Sequence, residues 1–393
     1  MKTKDKTGMV TVEKLTTDEA LSARKMWSEI FSEDSERFTD YYFAEKMAEN
    51  KGYGVKCDNR LCAMLFLTPY MGQVLAPDKK GSRFRDIPLC YIVGVGTRQE
   101  YRHRGYMDRL LRTALSDLCQ EAVPFAFLMP ADPAIYTPYQ FRYIYDRPTF
   151  SIEQQSNLPA QIMQEEEAAA LAAFAEGLLE QRYQLFLRRD EAYYRRQKKE
   201  SQAQNGDIYL WKEQGEIAGF YLSARENGKE EIQEGMVADG FAKRETLRIS
   251  SVRQPIIMAR ITNVASMLCL LRLSGQAEPD FITVCFRLFD PLLREQNGTF
   301  LWTVGKKEST IAMLTAEDEA EVCTDISALT EFVFGRKDCR DCFWEDKQTE
   351  HTENMSDLFA DLKNDTEGGY HVPVYKRLSQ IIPLRQVCIN EIV

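Results

Sequence analysis

The sequence predicts an α/β (α+β) protein built around a mixed β-sheet. Short runs of alternating or β-branched apolar residues, such as MVTVEKL at 9–15, predict strands. Between them lie segments with apolar residues at helical spacing, such as the one that starts at Met107. Over the first 150 residues the predicted order is β-α-α-β-β-β-α-β, which is typical of a layer of helices on a single mixed sheet.

The first 150 residues account for this order element by element. The strand at 9–15 is followed by TTDEALSARKMWSEIF, whose Thr and Asp predict a capped helix start. A second helix is predicted over TDYYFAEKMAEN, and the Asp-Asn turn of CDNR separates two strands. The remaining elements are the strands YGVKCD, LCAMLFLTPYMGQVL and CYIVGVGT, a helix over Met107–Glu121, and the strand VPFAFLMP.

The rest of the chain predicts two further units. A helical segment rich in Glu and Ala covers 164–203 and leads into the hairpin DIYLWKEQGEIAGFYLS. A third unit begins near PIIMARITNVASMLCLL, and the chain ends in LRQVCINEIV, which alternates like a strand. We therefore predict domains over 1–150, 151–255 and 256–393.

Composition excludes several classes of protein. No apolar run approaches 18 residues, so we expect no membrane span, and the lysine-containing N-terminus lacks the apolar core of a secretory signal. Ten cysteines scattered in apolar segments suit reduced thiols and a cytoplasmic location. A net charge of −10 argues against nucleic acid as a partner and is compatible with a cationic one, although a solvated acidic surface also explains it.

The segment VGVGTRQEYRHRGYMDRLL, residues 93–111, carries the first functional motif. Arg102, His103, Arg104 and Gly105 precede a helix, where unpaired N–H groups and the helix dipole attract anions. Glycine allows close approach of a ligand and arginine suits phosphate, so the motif predicts a pyrophosphate cradle. It is neither a dinucleotide fingerprint, since Gln99 stands where the third glycine would be, nor a Walker A loop. The alternative is a solvated basic helix start with a packing glycine.

Val95-x-Thr97 followed by Arg102-x-Arg104-Gly105-Tyr106 resembles the acetyl-coenzyme A motif of GNAT-family N-acetyltransferases. The resemblance implies that the strand splays from its neighbour and pairs with the pantetheine, and that the R-x-x-G loop binds the pyrophosphate. The residues implied in binding acetyl-CoA are Val95, Thr97, Arg102, His103, Arg104, Gly105 and Tyr106. Met107 replaces the small residue that usually ends this motif.

Residues 129–150, MPADPAIYTPYQFRYIYDRPTF, resemble the IYxxFGY segment of the multidomain enhanced-intracellular-survival (Eis) type of GNAT enzyme. Tyr136 falls on the general-acid tyrosine of that type and Phe141 is kept, whereas Gln140 replaces a glycine. The resemblance implies tandem GNAT-type domains, the second degenerate, followed by a sterol-carrier-protein-like domain. It also implies a homo-oligomer, hexameric in relatives. From the pattern alone, the alternative for Tyr136 is a core tyrosine with a hydrogen-bonded hydroxyl.

Acyl transfer to an amine needs a bound thioester, a deprotonated amine and a proton donor for the leaving thiolate. A phenol with a pKa near 10 suits the last role, and Tyr136 is the candidate. The resemblance implies that the C-terminal carboxylate, here of Val393, acts as the base. Glu391 is a competing carboxylate, and a strand end that merely packs is the remaining alternative.

We therefore expect an acetyl-CoA-dependent N-acetyltransferase acting on a primary amine of a cationic small molecule, such as an aminoglycoside or polyamine, or on a lysine side chain. The alternative is a non-catalytic protein that binds acyl-CoA or lipid. Cys339 and Cys342, with His351 nearby, spell only half a zinc site, so we expect free thiols and no metal. Three histidines and no G-x-S-x-G make a serine hydrolase an unsuitable alternative.

Overall fold

The computed structural model describes residues 4–5, 8–58, 60–78, 81–152, 159–226, 229–241, 247–315, 319–345 and 373–391. It is a mixed α/β structure, as the sequence predicts. Within these described residues the first unit contains seven strands and five α-helices. They are β1 (Lys4–Asp5), β2 (Gly8–Leu15), α1 (Thr17–Ser22), α2 (Arg24–Ile30), α3 (Glu36–Tyr41), β3 (Lys51–Cys57), β4 (Arg60–Asp78), β5 (Gly81–Thr97), α4 (Tyr106–Gln120), β6 (Phe125–Leu128), α5 (Pro133–Tyr136) and β7 (Arg142–Ile152).

Most predicted elements of this unit are confirmed, with local differences in the helices. The predicted cap forms a capping box, in which Thr16 accepts from the Glu19 N–H and the Glu19 carboxylate accepts from the Thr16 N–H. The helix predicted after it is two helices, which meet at Ala23. The helix predicted over 39–50 begins earlier, as α3, and continues as a π-helical turn (Tyr42–Lys46) and a 3-10 turn (Met47–Glu49).

The second unit comprises residues 159–226 and 229–241. Helix α7 (Glu191–Ala203) is capped by Asp190, which accepts from the Tyr193 N–H at 2.8 Å. The predicted hairpin forms as β10 (Ile208–Glu213) and β11 (Glu216–Glu226), with Gln214 and Gly215 both in the left-handed region at its turn. The elements are β8 (Gln161–Ile162), α6 (Ala168–Arg182), β9 (Leu185–Leu187), α7 (Glu191–Ala203), β10 (Ile208–Glu213), β11 (Glu216–Glu226) and β12 (Lys229–Val237).

The third unit contains nine strands and four short helices within the described residues 247–391. They are β13 (Leu247–Ile261), α8 (Val264–Leu268), β14 (Arg272–Leu273), β15 (Phe281–Phe289), β16 (Gly298–Gly305), β17 (Ser309–Met313), β18 (Val322–Asp325), α9 (Ile326–Val333), α10 (Cys339–Cys342), β19 (Trp344–Glu345), α11 (Val374–Leu378), β20 (Ile381–Ile382) and β21 (Val387–Cys388).

One ten-stranded sheet, here called the central sheet, joins all three units. Its order is β1-β2-β3-β4-β5-β6-β13-β7, with β9 paired to β4 and β21 paired to β9. Strand β13 runs continuously from Leu247 to Ile261, so the predicted boundary after residue 255 falls inside it. The division into three domains and the sterol-carrier-like nature of the third stay predictions.

Among the described residues three further sheets belong to single units: β12-β11-β10-β8 in the second, and β14-β20 and β17-β16-β15-β18-β19 in the third. Apolar clusters cover both faces of the central sheet. On one face α4 buries Leu110, Leu111, Ala114, Leu115 and Leu118, all fully inaccessible, which confirms the helical periodicity of this segment. This packing fixes the start of α4 against the end of β5, where the candidate site lies.

Candidate active site

Strands β5 and β6 run parallel but pair over only two residues, Cys90 with Ala126 and Tyr91 with Phe127. Strand β5 continues beyond this pairing to Thr97. Within the described part of the chain, residues 92–97 therefore have no strand partner on the β6 side. We call this opening between the two strands the wedge. Ligands of open sheets bind beyond the carboxyl ends of strands where neighbours part, and an unpaired strand edge offers backbone N–H and C=O groups to an extended ligand.

A β-bulge in β5 borders the wedge. Gly94 and Val95 together oppose Leu65 on β4, where the register of the two strands shifts. Gly94 has a φ of 60°, and a Cβ built there would lie 2.4 Å from the ring of Trp27. Only glycine suits this position, both by conformation and by space. Bulges redirect the strand that contains them, so this one sets the course of Val95 and Thr97 along the wedge.

The loop between β5 and α4 has the geometry of an anion site. His103 and Gly105 adopt φ angles of 60° and 73°, with Gly105 as the N-cap of α4. Backbone turns of this kind direct successive N–H groups into one concavity. The first intrahelical bond runs from the Arg109 N–H to the Gly105 carbonyl at 3.2 Å, so the N–H groups of 106–108 precede the hydrogen-bonded helix. A Cβ on Gly105 would meet nothing within 4 Å, so this side of the loop is open.

Two arginines place positive charge beside these N–H groups. Arg102 donates from Nε to the Thr97 carbonyl at 3.3 Å. Arg104 donates from Nη2 to the Glu100 carbonyl at 2.9 Å, and its guanidinium lies 5.2 Å from the ring centre of Tyr101. Both side chains therefore fold onto their own loop. The charge and the helix start together favour an anion here.

Tyr106 contributes differently from its neighbours. Its side chain is 1% exposed and lies in the core beneath α4, with its hydroxyl 3.2 Å from the Cys57 sulfur. Its backbone N–H remains at the helix start. His103, in contrast, is exposed on the loop.

Tyr136 belongs to the same apolar cluster as Tyr106. Asp132 caps the short helix α5 by accepting from the Ala134 N–H at 2.8 Å, and Tyr136 ends it. The ring is 9% exposed and meets Phe141 edge-on at 6.0 Å. No hydrogen bond joins its hydroxyl to any of the described residues. Burial raises the pKa of the phenol to about 12, so the hydroxyl keeps its proton at neutral pH.

The residue four positions later explains one departure from the family pattern. Gln140 has a φ of 67°, in the left-handed region that glycine adopts freely. Its N–H donates to the Thr137 carbonyl at 3.0 Å, closing the turn. The turn that presents Tyr136 and Phe141 therefore persists with glutamine in place of glycine.

Val393, the predicted base, lies outside the described residues. Glu391 is the last residue described and is 1% exposed. Its carboxylate accepts from the hydroxyls of Tyr70 at 2.7 Å and Tyr193 at 2.9 Å. Burial raises the pKa of Glu391, an increase opposed by the charge of Lys46. Burial raises the pKa of Tyr91, and the charges of Glu391 and Tyr136 raise it further. Tyr91 therefore interacts electrostatically with both groups.

Tyr106 and Tyr136 belong to one apolar cluster, against which Val95 packs, whereas Arg102, His103, Arg104 and Gly105 lie together on the loop before α4. The contacts of Glu391 were not predicted. Its partners Tyr70 and Tyr193 are 321 and 198 residues away in sequence, and no local pattern marks them.

Cys339 and Cys342 are buried free thiols, and His351 lies outside the described residues. Across the described ranges, no group of three His, Cys, Asp or Glu side chains could hold a metal ion. In the same ranges no helix combines the length and the apolar character needed to cross a membrane.

Comparison with known proteins gives one family match and several similar structures. Residues 11–144 match the acetyltransferase (GNAT) domain family. No curated protein matches the chain significantly. The structure is similar to a probable N-acyltransferase from Enterococcus faecalis (TM-score 0.69, 15% identity, 98% of this chain and 100% of the other). It is also similar to a GCN5-related N-acetyltransferase from Anabaena variabilis (TM-score 0.69, 14% identity, 97% of this chain and 99% of the other). A further similar structure is an Eis protein from Mycobacterium abscessus (TM-score 0.58, 11% identity, 86% of this chain and 94% of the other).

At these identities the likeness to solved structures establishes the fold, and it extends over most of the chain. The family match covers the wedge, the loop at 98–105 and Tyr136. Residues 11–144 thus form a GNAT acetyltransferase domain, and the chain that carries it is an acyltransferase.

Proposed function

We propose that the chain is an acetyl-CoA-dependent N-acetyltransferase of the Eis type, which transfers the acetyl group directly to a primary amine of a cationic acceptor. The observation that carries the proposal is the wedge opening onto the left-handed loop and the uncapped start of α4. An extended chain ending in a diphosphate matches this arrangement, because strand edge and anion site follow one another along β5 and its loop.

The diphosphate would bind at the start of α4. The N–H groups of residues 103–108 and the charges of Arg102 and Arg104 are the candidate contacts. Each guanidinium donates one N–H to a carbonyl of its own loop, which leaves its other N–H groups available to phosphate oxygens. The open space at Gly105 allows the diphosphate to approach the backbone closely.

The pantetheine and thioester would occupy the wedge. Backbone groups between Ile92 and Thr97 would pair with the pantetheine amides, as one strand pairs with the next. An N–H beside the bulge at Gly94 and Val95 would then donate to the thioester carbonyl, where negative charge develops during attack by the amine. The wedge closes at the pair of Tyr91 and Phe127, and this closed end would limit how deeply the acyl group enters the wedge.

Tyr136 would act as the general acid by donating a hydrogen bond that stabilises the departing thiolate. Its pKa of about 12 keeps the phenol protonated throughout the physiological range. No described side chain competes for its hydroxyl, and the hydroxyl is therefore free for the substrate sulfur. Because a thiol is more acidic than this phenol, a hydrogen bond that stabilises the thiolate suffices until solvent delivers the proton.

The amine must lose its proton before or during attack. The carboxylate of Val393 is our proposed base or proton relay, by the resemblance to the Eis type. Glu391 is the less suitable candidate, because both of its oxygens already accept hydrogen bonds and its side chain is buried. The resemblance also leads us to propose a homo-oligomer, which sedimentation of the purified chain would test.

The experiment that tests the proposal follows free thiol release from acetyl-CoA with a panel of amines: an aminoglycoside, a polyamine and a lysine-containing peptide. We expect thiol release that requires one of these amines and yields one acetylated product per thiol. Binding of acetyl-CoA without amine-dependent release across the panel would instead favour a non-catalytic acyl-CoA-binding protein.

A further inference from the structure

The second unit holds the C-terminal segment, residues 385–391, along most of its length. Strand β21 pairs in parallel with β9, and the Gln184 N–H donates to the Gln386 carbonyl at 2.7 Å. The side-chain oxygen of Gln184 accepts from the N–H groups of Arg385 and Gln386 at 3.0 and 3.1 Å. Since β9 also pairs with β4, the segment is fastened to the central sheet through the second unit.

A buried ion pair forms the next attachment. Arg189 and Glu234 pair with side chains 1% and 7% exposed. Asn390 donates from Nδ2 to the Glu234 carboxylate at 3.0 Å and to the Gln233 carbonyl at 3.2 Å. A buried charge needs all of its partners, so the position of Asn390 is coupled to the stability of this ion pair.

Glu391 forms the last attachment. One of its two phenol donors, Tyr193, comes from α7 of the second unit, and the other, Tyr70, comes from β4. Beside it lies a second buried ion pair, with 2.7 Å between Lys46 Nζ and the Glu200 carboxylate. Tyr41 donates to Glu200 at 2.9 Å. Three separate parts of the chain, at residues 41–46, 70 and 193–200, thus meet around the buried carboxylate of Glu391.

This cluster lies against the closed end of the wedge. The ring centres of Tyr70 and Phe127 are 5.9 Å apart, and those of Phe127 and Tyr91 are 5.2 Å apart. Phe127 and Tyr91 are the last pair that joins β6 to β5. A single phenol therefore connects Glu391 to the pair of rings on which the wedge closes.

Burying a carboxylate under a sheet is unfavourable, and an apolar side chain there would usually stabilise the fold more. The direction of the two hydrogen bonds, however, fixes where the chain lies in a way that an apolar contact does not. We propose that the second unit serves as an anchor for residues 385–391, and that Glu391, Tyr70 and Tyr193 are positioning residues for acyl transfer at the wedge. The proposal rests on the function proposed above.

The test compares Tyr193→Phe with wild type, because this change removes one hydroxyl and keeps the ring that stacks with Arg189. Tyr209→Phe is the matched control: it removes a phenol from the same unit whose ring stacks on Tyr221 instead. Tyr70→Phe is the second variant, which removes the donor on the other side. Each protein is measured for amide hydrogen exchange at residues 386–391 and for steady-state acetyl transfer.

We expect faster exchange at residues 386–391 in both Tyr193→Phe and Tyr70→Phe. We also expect kcat to fall roughly ten- to a hundredfold, the effect of misplacing a reacting group by about 1 Å. The KM for acetyl-CoA should stay within about twofold, and Tyr209→Phe should behave as wild type. Unchanged exchange in both variants would overturn the anchor, and faster exchange with an unchanged kcat would overturn the positioning role. A wild type without any acetyl transfer would overturn the proposed function, while the exchange measurement still decides whether the anchor exists.

Discussion

Gly105 offers the sharpest test of the anion site, because a side chain there changes the ligand space and little else. Its φ of 73° disfavours most residues, but asparagine and aspartate adopt this region more readily than others. A Cβ would meet no protein atom within 4 Å. Gly105→Asn and Gly105→Asp therefore share the same strain and nearly the same shape, and they differ by one negative charge.

The expected effect follows from that charge. A carboxylate about 5 Å from one phosphate charge is repelled by about 3 kcal/mol at an effective dielectric of 20, and by about 1 kcal/mol in water. Gly105 is exposed, so the result should fall between these limits. The dissociation constant of acetyl-CoA should be roughly five- to a hundredfold higher for Gly105→Asp than for Gly105→Asn.

Calorimetric titration with acetyl-CoA measures this ratio directly. In 1 M salt, where the screening length is about 3 Å, the ratio should shrink. Transfer from acetyl-pantetheine, which lacks the diphosphate, should be equally fast in the two variants. Equal dissociation constants for acetyl-CoA at low salt would refute the assignment of the diphosphate to this loop.

Four further predictions concern the reaction and the buried carboxylate. Tyr136→Phe should leave the dissociation constant of acetyl-CoA unchanged and lower kcat by roughly two to four decades; a wild-type rate would return Tyr136 to a packing role. Because the pKa of Tyr136 is raised to about 12, its ionisation should cause no alkaline loss of kcat between pH 7 and 10 in wild type. Burial raises the pKa of Glu391 above 4.5, so the folded state holds this proton more tightly than the unfolded state. The difference in unfolding free energy between wild type and Glu391→Gln should therefore favour wild type most below pH 4.5, and it should decline as the pH rises through the folded-state pKa. The groups that face Glu391 are Lys46, Glu200, Tyr70 and Tyr193. Urea unfolding that shows this difference growing with pH would contradict the prediction. Two glycines added after Val393 should move the terminal carboxylate by about 7 Å and lower kcat without weakening acetyl-CoA binding, whereas full activity would exclude that carboxylate as the base.

Local patterns predicted the elements that depend on local physics. The apolar positions from Met107 onward gave a helix over Met107–Glu121, and α4 covers Tyr106–Gln120. The capped start at Thr16 was predicted for the same reason, since cap residues act within one turn. The break at Ala23 was not, because alanine carries no signal for ending a helix.

The arrangement of strands could not be predicted from such patterns. The segment PIIMARI was predicted as the start of a third unit, but nothing in it indicates that it pairs with β6 and β7 of the first unit. The wedge itself depends on where β5 and β6 stop pairing, which is a property of two distant strands. The family resemblance, rather than the periodicity, predicted it.

The candidate site divides in the same way. Arg102 to Gly105 are neighbours in sequence, so their joint role was visible from the motif. Glu391 was predicted only as a rival base, because its two phenol donors come from remote parts of the chain. A polar residue whose partners are this distant carries no signal in a single sequence.

Amide hydrogen exchange with and without coenzyme A measures directly where the chain binds this ligand. We predict slower exchange in two adjacent stretches, residues 92–97 along the wedge and residues 103–109 at the start of α4. The second unit away from β9 should exchange at an unchanged rate. Protection confined to the second or third unit, with these two stretches unaffected, would contradict the proposed site.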